Sequence, residues 1–220
     1  MHPMKIAHTA VFEHGAIQKV SELGRFTAMV MDLDPLNLIV EVGSFDGGTL
    51  WAWQQICPEV VGVDLPPPGL EDDVRLNSLG CPIICGDSHD EATRDRLINT
   101  IQGRAVDMLF IDGDHSYHGV KADYELYSPL VRPGGLIGFH DICTHPDQPY
   151  IQVNRFWATL DLDTEAIIEE STTPSWGGIG VIRVPVNTEA DERARKQRDV
   201  SYQMAQQAAY GQPRQKATTA

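Results

Sequence analysis

Five short apolar runs in this 220-residue chain finish on or beside a carboxylate: Glu41, Asp64, Asp87, Asp112 and Asp141. Around them stand residues that hold cations or move protons, namely Asp46 in the turn GSFDGG, His115 three positions after Asp112, and His140 next to Asp141. The turn Gly43-Ser44-Phe45-Asp46-Gly47 allows a backbone to pass close under a ligand and aims N–H groups at it. Its spacing is not GxGxxG, and acids at 41 and 46 would repel a pyrophosphate while suiting a cationic nucleoside. Asp64 is placed to accept from ribose hydroxyls, and Asp87 with Ser88 to hold an adenine amino group, with helix capping as the plainer use of that pair. Asp112, His140 and Asp141 are candidate ligands for a divalent ion. Carboxylates suit magnesium, whereas an imidazole shifts preference toward manganese, iron or zinc. The His115 imidazole can accept a hydroxyl proton at neutral pH, its other uses being a water-exposed loop residue or a further metal ligand.

The elements that must position these residues follow from apolar spacing. Residues 15 to 34 carry Ile17, Val20, Leu23, Phe26, Met29, Val30 and Leu33 at threes and fours, which predicts one amphipathic helix closed by Pro35. Then strands LNLIVEV, VVGVDL, PIICGD, AVDMLFID and LIGFHD alternate with the helical stretches GTLWAWQQIC, LEDDVRLNSLG, DEATRDRLINTIQ and VKADYELYSPLV. Near-continuous apolar strands fit a parallel sheet covered by helices on both faces. After a predicted helix IQVNRFWATL, the runs EAIIEES and GGIGVIRV are joined only by TTPSWG, too short for a helical crossover, so they are expected to be antiparallel neighbours. The expected fold is a doubly wound α/β sheet of seven mostly parallel strands with the last antiparallel. In such sheets ligands bind outside the carboxyl ends of the strands, where the polar residues above fall. The segmentation reads as a helical cap over 1–35, one catalytic-type domain over 36–187, and a polar tail over 188–220.

Composition narrows the partners. The chain has 17 Lys and Arg against 31 Asp and Glu; six of the bases and four of the acids follow position 187, leaving eleven against twenty-seven before it. Such a surface disfavours nucleic acid and anionic membranes as partners. No stretch reaches the roughly 20 apolar residues of a membrane span, and Glu13 with His14 interrupts any secretion signal, so a cytoplasmic protein is expected. Cys57, Cys81, Cys85 and Cys143 show no CxxC spacing and read as reduced core residues. The apolar face of the first helix would cover the site or make a homo-oligomer contact.

In this order, EVGSFDGG, GVDLP, CGDS and RPGGLIGFHD resemble the class I S-adenosylmethionine-dependent methyltransferases over about residues 36 to 184. The stretch FIDGDHSYHGVKADYELYSPLVRPGGLIGFHDI is similar to the subgroup of macrolide-sugar O-methyltransferases and cephalosporin-hydroxylase-like proteins. That resemblance implies S-adenosylmethionine held by Glu41, Gly43, Ser44, Asp46, Gly47, Asp64, Asp87, Ser88 and Asp112. It implies a divalent metal, magnesium or manganese, at Asp112 and Asp141, with His140 standing where the subgroup has the first acid of a pair. It places a catalytic base at His115, with Asp114 as its orienting partner. The implied reaction is methyl transfer to a hydroxyl of a small-molecule acceptor, with ICTHPDQPY, bearing His145 and Tyr150, as the acceptor-side wall. Tyr117 and His118 open the next helix, and the sequence does not decide whether they touch substrate; Phe156 and Trp157 suit packing, as does Trp176, for which a place near the pocket is the alternative. The competing readings are a metal-independent enzyme with His115 as sole base, a non-catalytic binding module, and a nicotinamide oxidoreductase.

Overall fold

The apolar runs form a single mixed sheet in a computed structural model that describes residues 1–66, 74–160, 164–169 and 176–186. Its strands are β1 (Leu38–Val42), β2 (Glu59–Asp64), β3 (Val74–Leu76), β4 (Pro82–Cys85), β5 (Val106–Ile111), β6 (Val131–Phe139), β7 (Thr164–Ile167) and β8 (Ile179–Arg183). They lie in the order β3-β4-β2-β1-β5-β6-β8-β7. Strands β4, β2, β1, β5 and β6 are mutually parallel, and β8 runs antiparallel to both β6 and β7. Chain order reverses between β1 and β5, so the crevice for a ligand opens above those two strands.

Two local expectations are corrected. The stretch read as the helix LEDDVRLNSLG instead contributes β3, an eighth strand antiparallel to β4; residues 70–73 of it fall outside the described residues. The cause is a tight turn: Asn77 Oδ1 accepts from the N–H groups of Leu79 and Cys81, at 3.0 and 2.9 Å, and Gly80 takes φ 77°. The helix expected over 15–34 is confined to α2 (Val20–Met31), and a separate helix, α1 (Pro3–His14), precedes it. Gly15 ends α1 in the left-handed conformation, its N–H returning to Ala10 O, and Ala16 to Lys19 cross between the helices. Ile17, counted on the helix face from spacing, is therefore exposed. The predicted tail over 188–220 lies outside the described residues.

The sheet buries both faces. On one, α1, α2 and α3 (Gly48–Gln54) contribute Phe26 and Trp53 to a cluster with Phe110, the Phe26–Trp53 and Trp53–Phe110 rings meeting edge-on at 5.8 and 5.7 Å. Each such contact adds roughly 0.5–1.5 kcal/mol beyond area burial. The apolar face of α2 is thus used within the core. On the other face α4 (Glu91–Thr100), α5 (Tyr117–Tyr127) and α6 (Val153–Trp157) cover Val40, Leu109 and Phe139. Phe156 is buried there, as its position on an apolar helix face predicts. A buried pair, Arg132 with Asp107, ties the opposite end of the sheet: Asp107 Oδ2 accepts from Asn37 N and Leu38 N, and Arg132 donates to Pro35 O. Those contacts join the starts of β1, β5 and β6, far from the carboxyl-end rim. Among the described residues no helix is long and apolar enough to cross a membrane.

Candidate active site

Parallel pairing delivers the strand ends to one rim, and backbone bonds continue it into the loops. Gly43 N donates to Val63 O, Gly86 N to Asp64 O, Asp112 N to Val42 O and His140 N to Ile111 O. Above this rim lies a cavity of about 1180 Å³. Gly43, Ser44, Asp46, Asp64, Asp87 and Ser88 line one half. Asp112, His115, His140 and Asp141 line the other, with His145 and Tyr150 of the loop after β6.

The second half holds a tight carboxylate–imidazole cluster. His115 Nε2 stands 3.2 Å from Asp112 Oδ1 and 3.4 Å from Asp141 Oδ2, while His140 Nδ1 stands 3.2 and 3.5 Å from the same two atoms. His145 Nε2 approaches Asp141 Oδ1 at 3.1 Å. Asp112, His115 and Asp141 each offer a ligand atom, all within 4.8 Å of one another. Asp141 reaches this position with φ 62°, a conformation that costs an L side chain of order 1–3 kcal/mol and persists only where surroundings impose it. His115 is fixed from behind by Gln152 N, which donates to its carbonyl at 2.7 Å. Asp114, expected to orient the His115 ring, instead accepts from Ser116 N at 2.8 Å at the start of α5. Tyr117 packs on Phe156, and neither it nor His118 lines the cavity.

Mutual charge sets the protonation of this cluster. Burial by itself would raise the Asp141 carboxyl, but hydrogen bonding and charge from His140, then charge from His115 and His145, hold it at about 2. Asp112 is likewise lowered against its own burial by His140 and His115. Burial opposes a charged His140 ring, yet Asp112 and Asp141 outweigh it and push that ring to about 10. His115 is raised by its hydrogen bond to Asp112, against burial. Two acids and two imidazoles therefore satisfy one another, and a divalent cation would fit the same carboxylate oxygens with mixed O and N donors.

On the first half, three residues proposed for the cofactor have a different immediate role. Glu41 does not line the cavity; it is fully buried, accepting from Thr49 Oγ1 at 2.8 Å and Trp53 Nε1 at 2.5 Å. Burial pushes its carboxyl up to about 8 despite those bonds. Gly43 has φ 84°, and a Cβ there would meet Asp112 O at 2.2 Å, so its missing side chain admits the β5 loop as well as any ligand. Gly47, at φ 85°, abuts Asn77 and lies off the cavity. Asp87 and Ser88 are not the cap of α4; Asp90 is, accepting from Ala92 N, which leaves the pair on the cavity wall.

Gln18 was not legible as a site residue. It lies in the linker between α1 and α2, is buried, and donates from Nε2 to Asp112 Oδ2 at 2.7 Å, with Oε1 left without a hydrogen-bond partner. A lone glutamine carries no spacing signal, and its partner is 94 residues away. Trp176, expected in hairpin packing, lines the cavity. Glu22 of α2 accepts from Gly178 N at 2.9 Å and so draws that turn inward.

Parallel strands with this reversal, closed by an antiparallel hairpin and carrying acids at successive carboxyl ends, define the class I methyltransferase fold. Residues 40–142 match a family model described as a methyltransferase domain. It is 34% identical over 133 residues to an uncharacterized protein of Acanthamoeba polyphaga mimivirus, covering 55% of this chain and 59% of that protein. It is 29% identical over 100 residues to the mycinamicin VI 2''-O-methyltransferase of Micromonospora griseorubida, covering 44% of this chain and 23% of the relative. The chain thus spans less than two thirds of either relative. Among solved structures it is similar to the MycE methyltransferase of the mycinamycin pathway, in complex with Mg, SAH and mycinamycin VI. The TM-score is 0.59 at 16% identity, over 86% of this chain and 56% of that one. At that identity the likeness establishes the fold.

Proposed function

We propose that the protein is a divalent-metal-assisted O-methyltransferase that takes a methyl group from S-adenosylmethionine to a hydroxyl of a small molecule. The observation that carries this reading is the grouping of Asp112, His115 and Asp141 within 4.8 Å beside a large cavity at the carboxyl rim of the sheet. The metal-binding O-methyltransferase named among the relatives adds support. On the donor half, Asp64 receives the ribose hydroxyls and Asp87 with Ser88 the adenine edge, while Asp46 and the turn around Ser44 accommodate the cationic end. This alignment supplies much of the rate, since positioning two reactants is worth roughly 7–11 kcal/mol.

Asp112 and Asp141 are the oxygen ligands for the ion, with His140 behind them. A bound divalent ion lowers the pKa of an adjacent hydroxyl. His115 takes the acceptor proton at Nε2; its side chain is 32% exposed, whereas that of His140 is 4% exposed. Gln18 holds Asp112 Oδ2 and so keeps Oδ1 turned toward the cluster. A second reading, in which His115 is the third ligand, is favoured by its membership of the 4.8 Å group.

The test is methyl transfer to a panel of hydroxylated acceptors, followed by mass spectrometry with and without excess chelator. Loss in chelator with recovery on added manganese or magnesium is the expected result, and full activity in chelator would overturn the metal role. His115→Ala that keeps manganese affinity assigns the base; loss of that affinity assigns the ligand.

A further inference from the structure

Resting on that reading of a metal-assisted site, one side chain that the reaction leaves without a task joins the cluster to the acceptor-side wall. His145 belongs to the loop between β6 and α6, residues 140–152, of which Pro146, Asp147, Gln148, Tyr150 and Ile151 also line the cavity. Every other residue from 144 to 150 is exposed, yet the His145 side chain is 5% exposed and turns inward. Its Nε2 is buried, has no hydrogen-bond partner and stands 3.1 Å from Asp141 Oδ1. A ring nitrogen shut off from water beside a carboxylate oxygen, with the bond between them unmade, marks a contact that closes when the site is filled.

The two acids of the cluster are flanked in the same way. Gln18 Nε2 donates to Asp112 Oδ2, and His145 Nε2 faces Asp141 Oδ1. The other two oxygens, Asp112 Oδ1 and Asp141 Oδ2, are the ones turned to His115 and His140. The oxygens of one carboxylate turn together, so a bond that fixes the outer oxygen also fixes the inner one that would hold a cation. The loop meets the cluster again at its far end, where Gln152 N donates to His115 O at 2.7 Å. Between these anchors Gln148 N donates to His145 O at 3.1 Å and Ile151 N to Gln148 O at 3.0 Å, so the wall is strung from His145 itself.

We propose that His145 is a positioning residue: it donates from Nε2 to Asp141 Oδ1 when the cation site is filled, and thereby couples that site to the acceptor-side wall, residues 142–152. Such coupling is reciprocal, so filling the cation site orders the wall and an ordered wall tightens the cation site. The wall is then set for an acceptor only once the metal is in place, which puts metal addition before acceptor binding.

The experiment uses the full chain with S-adenosylhomocysteine, whose affinity is measured first by calorimetry, and manganese as the probe. The parent chain, His145→Ala and His145→Gln are compared for manganese affinity and for amide hydrogen exchange over residues 142–152 with and without the ion. His145→Ala is expected to bind manganese about tenfold to a hundredfold more weakly, the usual effect of removing a partner of a metal-binding carboxylate, with S-adenosylhomocysteine affinity unchanged. In the parent, manganese should slow exchange at Gln148, Ile151 and Gln152 severalfold. In His145→Ala that slowing should be absent even at saturating manganese. His145→Gln carries an N–H at a reach close to that of Nε2 and should recover both effects in part, which a ring that merely packs would not allow. Unchanged manganese affinity in His145→Ala, equal slowing in that variant and the parent, no slowing in the parent, or no recovery in His145→Gln overturns the inference while the metal reading stands. Loss of S-adenosylhomocysteine affinity in His145→Ala would assign the ring to folding and overturn it as well. Absence of manganese binding by the parent overturns the metal reading itself and, with it, this inference.

Discussion

Gln18 Nε2 donates to Asp112 Oδ2 at 2.7 Å, linking the segment between the first two helices to the acid that ends β5. The cluster is therefore completed from outside the stretch 40–142 that matches the methyltransferase-domain model. A hydrogen bond to a charged group contributes about 1.5–3 kcal/mol. Gln18→Ala is expected to lower kcat/KM roughly tenfold to a hundredfold and to weaken manganese binding, with S-adenosylhomocysteine affinity retained. Steady-state kinetics and calorimetry on the purified variant read this; unchanged kcat/KM and manganese affinity would remove Gln18 from the site.

Asp141 combines a ligand role with a left-handed backbone, and two substitutions separate these. Asn tolerates φ near 62° and Ala does not. Asp141→Asn should keep thermal stability within about 1 kcal/mol yet lose methyl transfer by two orders of magnitude or more. Asp141→Ala should lose the same activity and a further ~1 kcal/mol of stability. Denaturant melts of the two variants, compared side by side, provide the check.

Gly43 and Gly15 both have positive φ but differ in surroundings. A Cβ at Gly43 would meet Asp112 O at 2.2 Å, whereas nothing lies within 4 Å of one at Gly15. Gly15→Ala is expected to cost about 1 kcal/mol, from backbone conformation alone. Gly43→Ala is expected to cost several-fold more, or to prevent folding, because β1 and β5 would have to separate. Similar urea midpoints for the two variants would contradict the close packing of the turn on the Asp112 loop.

The buried Glu41 carboxyl gives stability a pH dependence. Its pKa rises from an ordinary 4.5 to about 8 on folding, chiefly through burial. Between these values the unfolded chain has released the proton while the folded one keeps it, so stability falls as pH rises through this window and levels off above it. The slope for one such group approaches about 1.4 kcal/mol per pH unit. Glu41→Gln, which preserves the shape and an acceptor for Thr49 or Trp53, should flatten the curve between pH 5 and 8. An equally steep curve in that variant would assign the slope elsewhere.

Sequence spacing by itself determined which segments form the five parallel strands and placed Asp64, Asp87, Asp112 and Asp141 at their ends. Alternating apolar runs and amphipathic stretches permit few other arrangements, and a parallel sheet brings those ends to one edge. Only the tertiary structure decided that Glu41 faces inward to Trp53, that Gly43 yields to the backbone of Asp112, and that Ile17 belongs to a crossing segment. Periodicity records which residues avoid water but not which distant partner covers them, and after Gly15 in the left-handed region Ala16, Ile17 and Gln18 turn to line the cavity. Gln18 is the clearest case, because its role exists only when the chain brings position 112 to it.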